Sequence, residues 1–257
     1  MNLLWLLPGI LAGVLAAVAL VPLGREVLRR GIVFVDLAIA QVAATAVVAA
    51  HLLGWKGGWE EQLAALLAAL SVAALAGLLV ERLKKEAEAW IGVIYVAAGA
   101  LTLLLLAHDP HGAEEGVELL SGQILWAGWG QAAQAAAVAG VVVLWGARVA
   151  DPWRRSRPFY LILAASVTVL VQILGVFLVF ALLIMPALAV VKLKAGWWWV
   201  GSLIGGLGVL GGMTASALAD LPAGTAIVVG LAVLAPLVRL FLPVGNSREP
   251  SKMSAST

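Results

Sequence analysis

Seven stretches of the chain carry no charged side chain: residues 1–24, 62–80, 89–107, 119–147, 158–191, 195–219 and 221–238. An eighth, 32–53, carries one, Asp36. A bilayer core takes about 20 apolar residues of helix per crossing. Several of these runs reach that length alone. Together they leave no amphipathic shell to cover a soluble core and no room for a soluble domain. The pattern predicts an all-α, polytopic transmembrane bundle, with spans near 3–23, 32–53, 62–80, 90–107, 131–147, 159–179, 196–218 and 222–242. The run 158–191 would measure about 50 Å as one helix, too long for one crossing and short for two. It predicts one full span and then a short or broken segment near Pro186. Irregular backbone at membrane depth survives only where protein or a cavity covers it, so this segment is either a kinked packing helix or part of a pathway. The expectation is eight full spans plus one short or broken segment, a membrane domain over 1–244 and a polar cytoplasmic tail over 245–257.

Charge fixes the orientation. Fifteen of the 16 Lys and Arg residues fall into five clusters: Arg25, Arg29 and Arg30; Arg82, Lys84 and Lys85; Arg148, Arg154, Arg155 and Arg157; Lys192 and Lys194; Arg239, Arg248 and Lys252. The intervening connections are acidic or neutral, with Lys56 the one basic exception. Basic residues stay on the cytoplasmic side. The chain is therefore expected in a bacterial cytoplasmic membrane, N-terminus outside and C-terminus inside, which requires an odd number of crossings. The first apolar run lacks a basic leader and is long enough to span, so it is expected to be retained rather than cleaved. Trp55, Trp59, Trp126 and Trp129 fall at the outer interface, and Trp197, Trp198 and Trp199 at the inner one.

Composition adds exclusions. Hydrophobic residues make up 63% and charged residues 12%, against roughly 25% charged in soluble domains. Topology accounts for the excess positive charge, so nucleic acid is not an expected partner. No cysteine is present, which removes disulfides and thiolate metal sites. There is no GxxxxGK[ST], HExxH or GxSxG, so the chain is expected to be no enzyme and to hydrolyse no nucleotide itself. The 28 glycines, dense in Gly205-Gly206-Leu207-Gly208 and Gly211-Gly212, suit close helix packing in lipid.

Polar groups inside spans are costly and so informative. Asp36 and Gln41 lie in the second span. A carboxylate there suits a hard divalent cation, or pairs with Arg29 or Arg30. Gln41 is five residues on, about 140° around the helix. Gln172 either lines a path or joins helices. The densest set of metal-binding side chains is His108, Asp109, His111, Glu114 and Glu115 at the proposed outer mouth. It is either a solvated loop or a collecting site, since imidazole and carboxylate suit zinc, iron and manganese.

Four stretches then resemble one family, the membrane permeases of ABC importers for zinc, manganese and iron. They are Arg29–Gln41 (RRGIVFVDLAIAQ), Leu119–Leu125 (LLSGQIL), Gln172–Ala187 (QILGVFLVFALLIMPA) and Asp220–Val228 (DLPAGTAIV). The resemblance implies alternating access around a central path. It also implies a second permease copy, a cytoplasmic ABC ATPase dimer and an extracytoplasmic metal-binding protein. No cofactor is expected to be bound permanently; a divalent metal ion is the expected cargo. Two positions depart from the family. Its second helix usually pairs an Asp with a His one turn on, and here Asp36 is followed by Gln41. Its ATPase-docking helix is replaced by a short basic segment holding Asp151, Pro152, Arg154, Arg155 and Arg157. These departures keep two alternatives open: a permease of the same mechanics for a metal chelate or vitamin, and a degenerate subunit that transports nothing.

Overall fold

The structure, a computed structural model, describes residues 3–55, 59–83, 86–107, 122–148 and 156–241. The expected mouth at 108–115, the loop at 151–155 and the tail at 245–257 lie outside these residues. The described chain is a bundle of nine α-helices: α1 Leu7–Arg30, α2 Val35–Leu52, α3 Trp59–Leu83, α4 Ala87–Leu106, α5 Trp129–Arg148, α6 Ser156–Leu174, α7 Val176–Val190, α8 Trp197–Ala219 and α9 Ala223–Phe241. Seven are long and apolar enough to cross a membrane; the apolar part of α6, Pro158–Leu174, and α7 are shorter. The nine described helices equal the number of segments expected from the sequence, but two of them are short where one was expected.

Local chemistry sets the helix ends. Pro8 sits in the first turn of α1, where its missing N–H costs nothing. At the other end Gly31 adopts a left-handed conformation (φ 67°) and the chain turns back, with Gly31 N–H to Leu28 O and Ile32 N–H to Val27 O at 3.3 Å each. A glycine in that conformation is the usual helix stop. The break in the long run 158–191 falls at Gly175, not near Pro186. Gly175 has φ 78° and ψ 163°, backbone that L side chains rarely adopt. Pro186 instead lies within α7 and is buried.

Two helices organise the packing. α1 touches α5, α7 and α8, while α2 touches α3, α4 and α6. α9 closes on α7 and α8, and contacts between α6 and α7 help join the two groups. Small residues allow the close approaches. Gly24 of α1 lies so near Leu183 of α7 that a Cβ would overlap the Leu183 carbonyl. α8 presents one stripe of glycine notches to two neighbours. A Cβ at Gly201 or Gly205 would stand 2.6 Å from Val21 Cγ1 or 2.7 Å from Ala17 Cβ, both on α1. At Gly208 and Gly212 it would meet Leu231 and Ile227 of α9.

Among the described residues, Arg25, Arg30 and Arg239 gather at one end of the bundle, as the charge pattern predicted. Arg25 Nη2 donates to Leu193 O (3.0 Å), and its guanidinium lies 4.2 Å over the Trp197 ring. Arg30 lies 4.5 Å over Phe159. Arg239 Nη1 donates to Ala189 O at 3.4 Å. Of the three inner tryptophans, Trp199 is exposed as a membrane anchor would be. Trp197 lies under Arg25, and Trp198 Nε1 donates to Val18 O at 2.9 Å, so these two also tie α8 to α1. At the opposite end Trp5 and Trp126 pack with ring centroids 5.9 Å apart.

Candidate functional site

Along the seam between α2 and α4 runs a file of polar groups. Asp36 stands at its basic end, in the first turn of α2, 1% exposed. Backbone N–H groups of that turn, Leu37 among them, face its carboxylate, and a helix N-terminus favours negative charge. One oxygen, Oδ1, is buried with no hydrogen-bond partner. Glu88, in the first turn of α4, is close enough to act on Asp36 electrostatically. Glu88 Oε1 accepts the Phe34 N–H at 3.3 Å, while Oε2 is buried without a partner. Two acidic side chains thus bring two unmatched oxygens to one end of the seam. The cations that the sequence offered to Asp36 go elsewhere: Arg30 Nε reaches Glu26 Oε1 at 2.9 Å, and Arg29 Nη1 reaches Glu26 Oε2 at 3.5 Å.

Farther along the seam, Gln41 Nε2 donates to Thr102 Oγ1 (3.3 Å), and the Thr45 and Thr102 hydroxyls bond each other at 2.8 Å. Thr45 Oγ1 reaches Gln41 O at 2.7 Å, and Thr102 Oγ1 reaches Ala98 O at 3.0 Å. With one hydrogen on each hydroxyl, these contacts are alternatives to one another, and together they join α2 to α4. Gln172 pairs with Gln62 of α3, so it joins helices too.

Of the remaining expected site residues, His108, Asp109, His111, Glu114, Glu115, Asp151, Pro152, Arg154 and Arg155 lie outside the described residues. Arg157 lies in the first turn of α6. Among the described residues, no three His, Asp or Glu side chains converge as a metal site would require. Sequence reasoning missed Glu88, Glu26, Thr45, Thr102 and the His51 Nδ1–Glu61 Oε1 pair (3.2 Å) across the far ends of α2 and α3. One signal was available: Glu26 and Arg30 are four apart, the spacing of neighbours on a helix face.

Two of the four family stretches meet in space. Gly122, in the second stretch, has φ 70° and packs so closely on the Leu174–Gly175 peptide of the third that a Cβ would overlap it. The carbonyl of Ile124, two residues on, lies against Gly9 of α1. The segment after the proposed mouth is thereby wedged between α1 and the α6–α7 break.

Comparison with known proteins places this architecture. No curated protein sequence matches significantly. The solved structure of PsaBC from Streptococcus pneumoniae in complex with Fab shares the fold, with a TM-score of 0.73 at 16% identity, covering 94% of this chain and 93% of that one. The model of the ABC 3 transport family matches residues 3–148 and 155–242. That span takes in all nine helices, and the chain is a multi-pass membrane permease belonging to the ABC 3 transport family.

Proposed function

We propose that the chain is the permease subunit of an ABC importer for a divalent metal ion, zinc, manganese or iron. The observation that carries this is the pair of unmatched carboxylate oxygens on Asp36 and Glu88, within a fold matched along nearly its whole length by a transport family. An ionisable group buried within a membrane bundle, as Asp36 is, points to a transport path by default. Hard cations take oxygen ligands, and two carboxylates on separate helices offer a cation a transient hold. In this reading Asp36 and Glu88 line the inner part of the path. Gln41, already engaged with Thr102, holds α2 against α4. His108, Asp109, His111, Glu114 and Glu115 collect cations at the outer mouth by electrostatic focusing. Asp151, Pro152, Arg154, Arg155 and Arg157 meet the ATPase. A second permease copy, an ATPase dimer and an extracytoplasmic binding protein complete the importer.

The test is elemental analysis of cells lacking this gene, grown with a chelator. A selective fall in zinc, manganese or iron, restored by the intact gene, is expected. No change in all three would sink the metal cargo. At residue level, Asp36→Asn should lower uptake at least about tenfold, the scale of losing a metal-site partner, with unchanged yield of folded protein. Equal uptake would remove Asp36 from the path. Uptake by the purified chain without an ATPase would sink the importer assignment altogether.

One observation favours a chelated metal or vitamin as cargo. Gln41, five residues past Asp36, is the nearest equivalent of the family's imidazole, and its amide is spent on Thr102. Uptake of a chelate that free metal does not compete would select that alternative.

A further inference from the structure

Between α7 and α9, near the basic end, lies a groove of about 480 Å³. Met185 and Leu188 form one wall; Ala232, Ala235 and Pro236 form the other. Leu188 is half exposed, and Ala232 and Pro236 are exposed. Alanine side chains keep the α9 wall low, and Pro236 offers no N–H to the Ala232 carbonyl one turn back. The groove holds one charged lining residue, Arg239, at the end where the basic residues gather. Its one contact among the described residues is the long hydrogen bond from Nη1 to Ala189 O. A guanidinium has five N–H donors, so most of its capacity is uncommitted. Three and five residues beyond Ala189 come Lys192 and Lys194, both exposed in the turn that follows α7.

The occupant is defined by this layout. An apolar trough at membrane depth, closed at its cytoplasmic end by an under-used arginine with two lysines nearby, complements an amphiphile with an acyl chain and an anionic head. Basic pockets between transmembrane helices on the cytoplasmic side take lipid phosphates in this way. We propose that the groove seats one anionic phospholipid of the cytoplasmic leaflet, an acyl chain lying along Leu188, Ala232 and Pro236 and its phosphate held by Arg239. The lipid splints α7 to α9 where the two helices end. This site is independent of the cargo.

The experiment uses the full chain purified in mild detergent and then incorporated in bilayer discs of phosphatidylcholine with a minor fraction of phosphatidylglycerol. Lipid retained after delipidation is counted by native mass spectrometry. About one phosphatidylglycerol per chain, retained over phosphatidylcholine, is expected. Arg239→Glu should cut retention about tenfold or more, because reversal removes an attraction and adds a repulsion near an anionic headgroup. Arg82→Glu, the same charge change on exposed α3, should leave it unchanged. Ala232→Trp, which fills the trough and keeps the arginine, should also displace the lipid; its folding is checked by gel filtration and circular dichroism. Equal losses in the Arg239 and Arg82 variants would mean diffuse charge attraction and would overturn the site. So would retention undiminished by Ala232→Trp in a folded variant. The chain has no cysteine, so Ala232→Cys gives one reporter thiol per chain. Efficient disulfide crosslinking through it would show a second copy covering the groove, and the lipid site would be refuted.

Discussion

α1 and α4 have the same mean hydropathy, 2.2 over their most apolar 18 residues, yet 67% of that window is buried in α1 and 22% in α4. Hydropathy therefore says that both cross a membrane and nothing about which faces protein. The difference lies in side-chain size and backbone approach. α1 buries Gly9, Ala12, Gly13, Ala16, Ala17 and Gly24, of which Gly9, Gly13, Ala17 and Gly24 lie against α7, α8 or the Ile124 segment. α4 exposes Val93, Val96, Leu101, Leu103 and Leu104, and a Cβ at Gly92 would touch nothing. Since lipid is as apolar as leucine, a helix leaves lipid for protein only where close packing or polar groups reward it.

Four substitutions test this contrast. Gly24→Ala should cost the most, about 3 kcal/mol or more, because its methyl would overlap the Leu183 carbonyl and α1 would have to leave α7. Chemical unfolding in detergent measures it, and a wild-type midpoint would mean that α1 is held by something other than close approach. Thr102→Val should cost about 1 kcal/mol, because it opens the buried polar knot that the middle of α4 shares with α2. A neutral result would leave the middle of α4 held by apolar contact. Gly92→Ala should stabilise by up to about 1 kcal/mol, since alanine is the better helix former and the position is open; destabilisation would reveal a neighbour against α4. Gln172→Leu should change stability least, within about 0.5 kcal/mol, because the Gln62 pair lies on an exposed face.

The same contrast explains what the sequence could disclose. Charge-free runs and basic clusters placed the helices and their ends, since both signals come from the bilayer and need no knowledge of neighbours. The meeting of Arg25, Arg30 and Arg239 with the ends of α6, α7 and α8 follows from that pattern. The break in 158–191 was foreseen but misplaced. Proline is the louder local signal, yet Pro186 fits inside α7, while Gly175 is required for its backbone conformation. Asp36 was legible as a buried carboxylate. Its neighbour Glu88 was not, because the approach of α2 to α4 is a tertiary fact that no spacing in the chain encodes. Likewise the capture of Arg29 and Arg30 by Glu26 was present as helical spacing but competed with a nearby, more conspicuous aspartate.

The four glycine notches of α8 have a mechanical consequence. All four lie on one stripe of the helix; Val21 and Ala17 fill the two nearer its start, and Leu231 and Ile227 the two nearer its end. A rod engaged by two neighbours along one stripe cannot creep. A small axial slip drives each tooth out of its notch and onto the neighbouring rim, and α1 and α9 resist at once. A slip of a whole turn, about 5.4 Å, does not restore the fit, because it sets Val209 or Trp197 where a glycine now stands. The three helices therefore move as one piece.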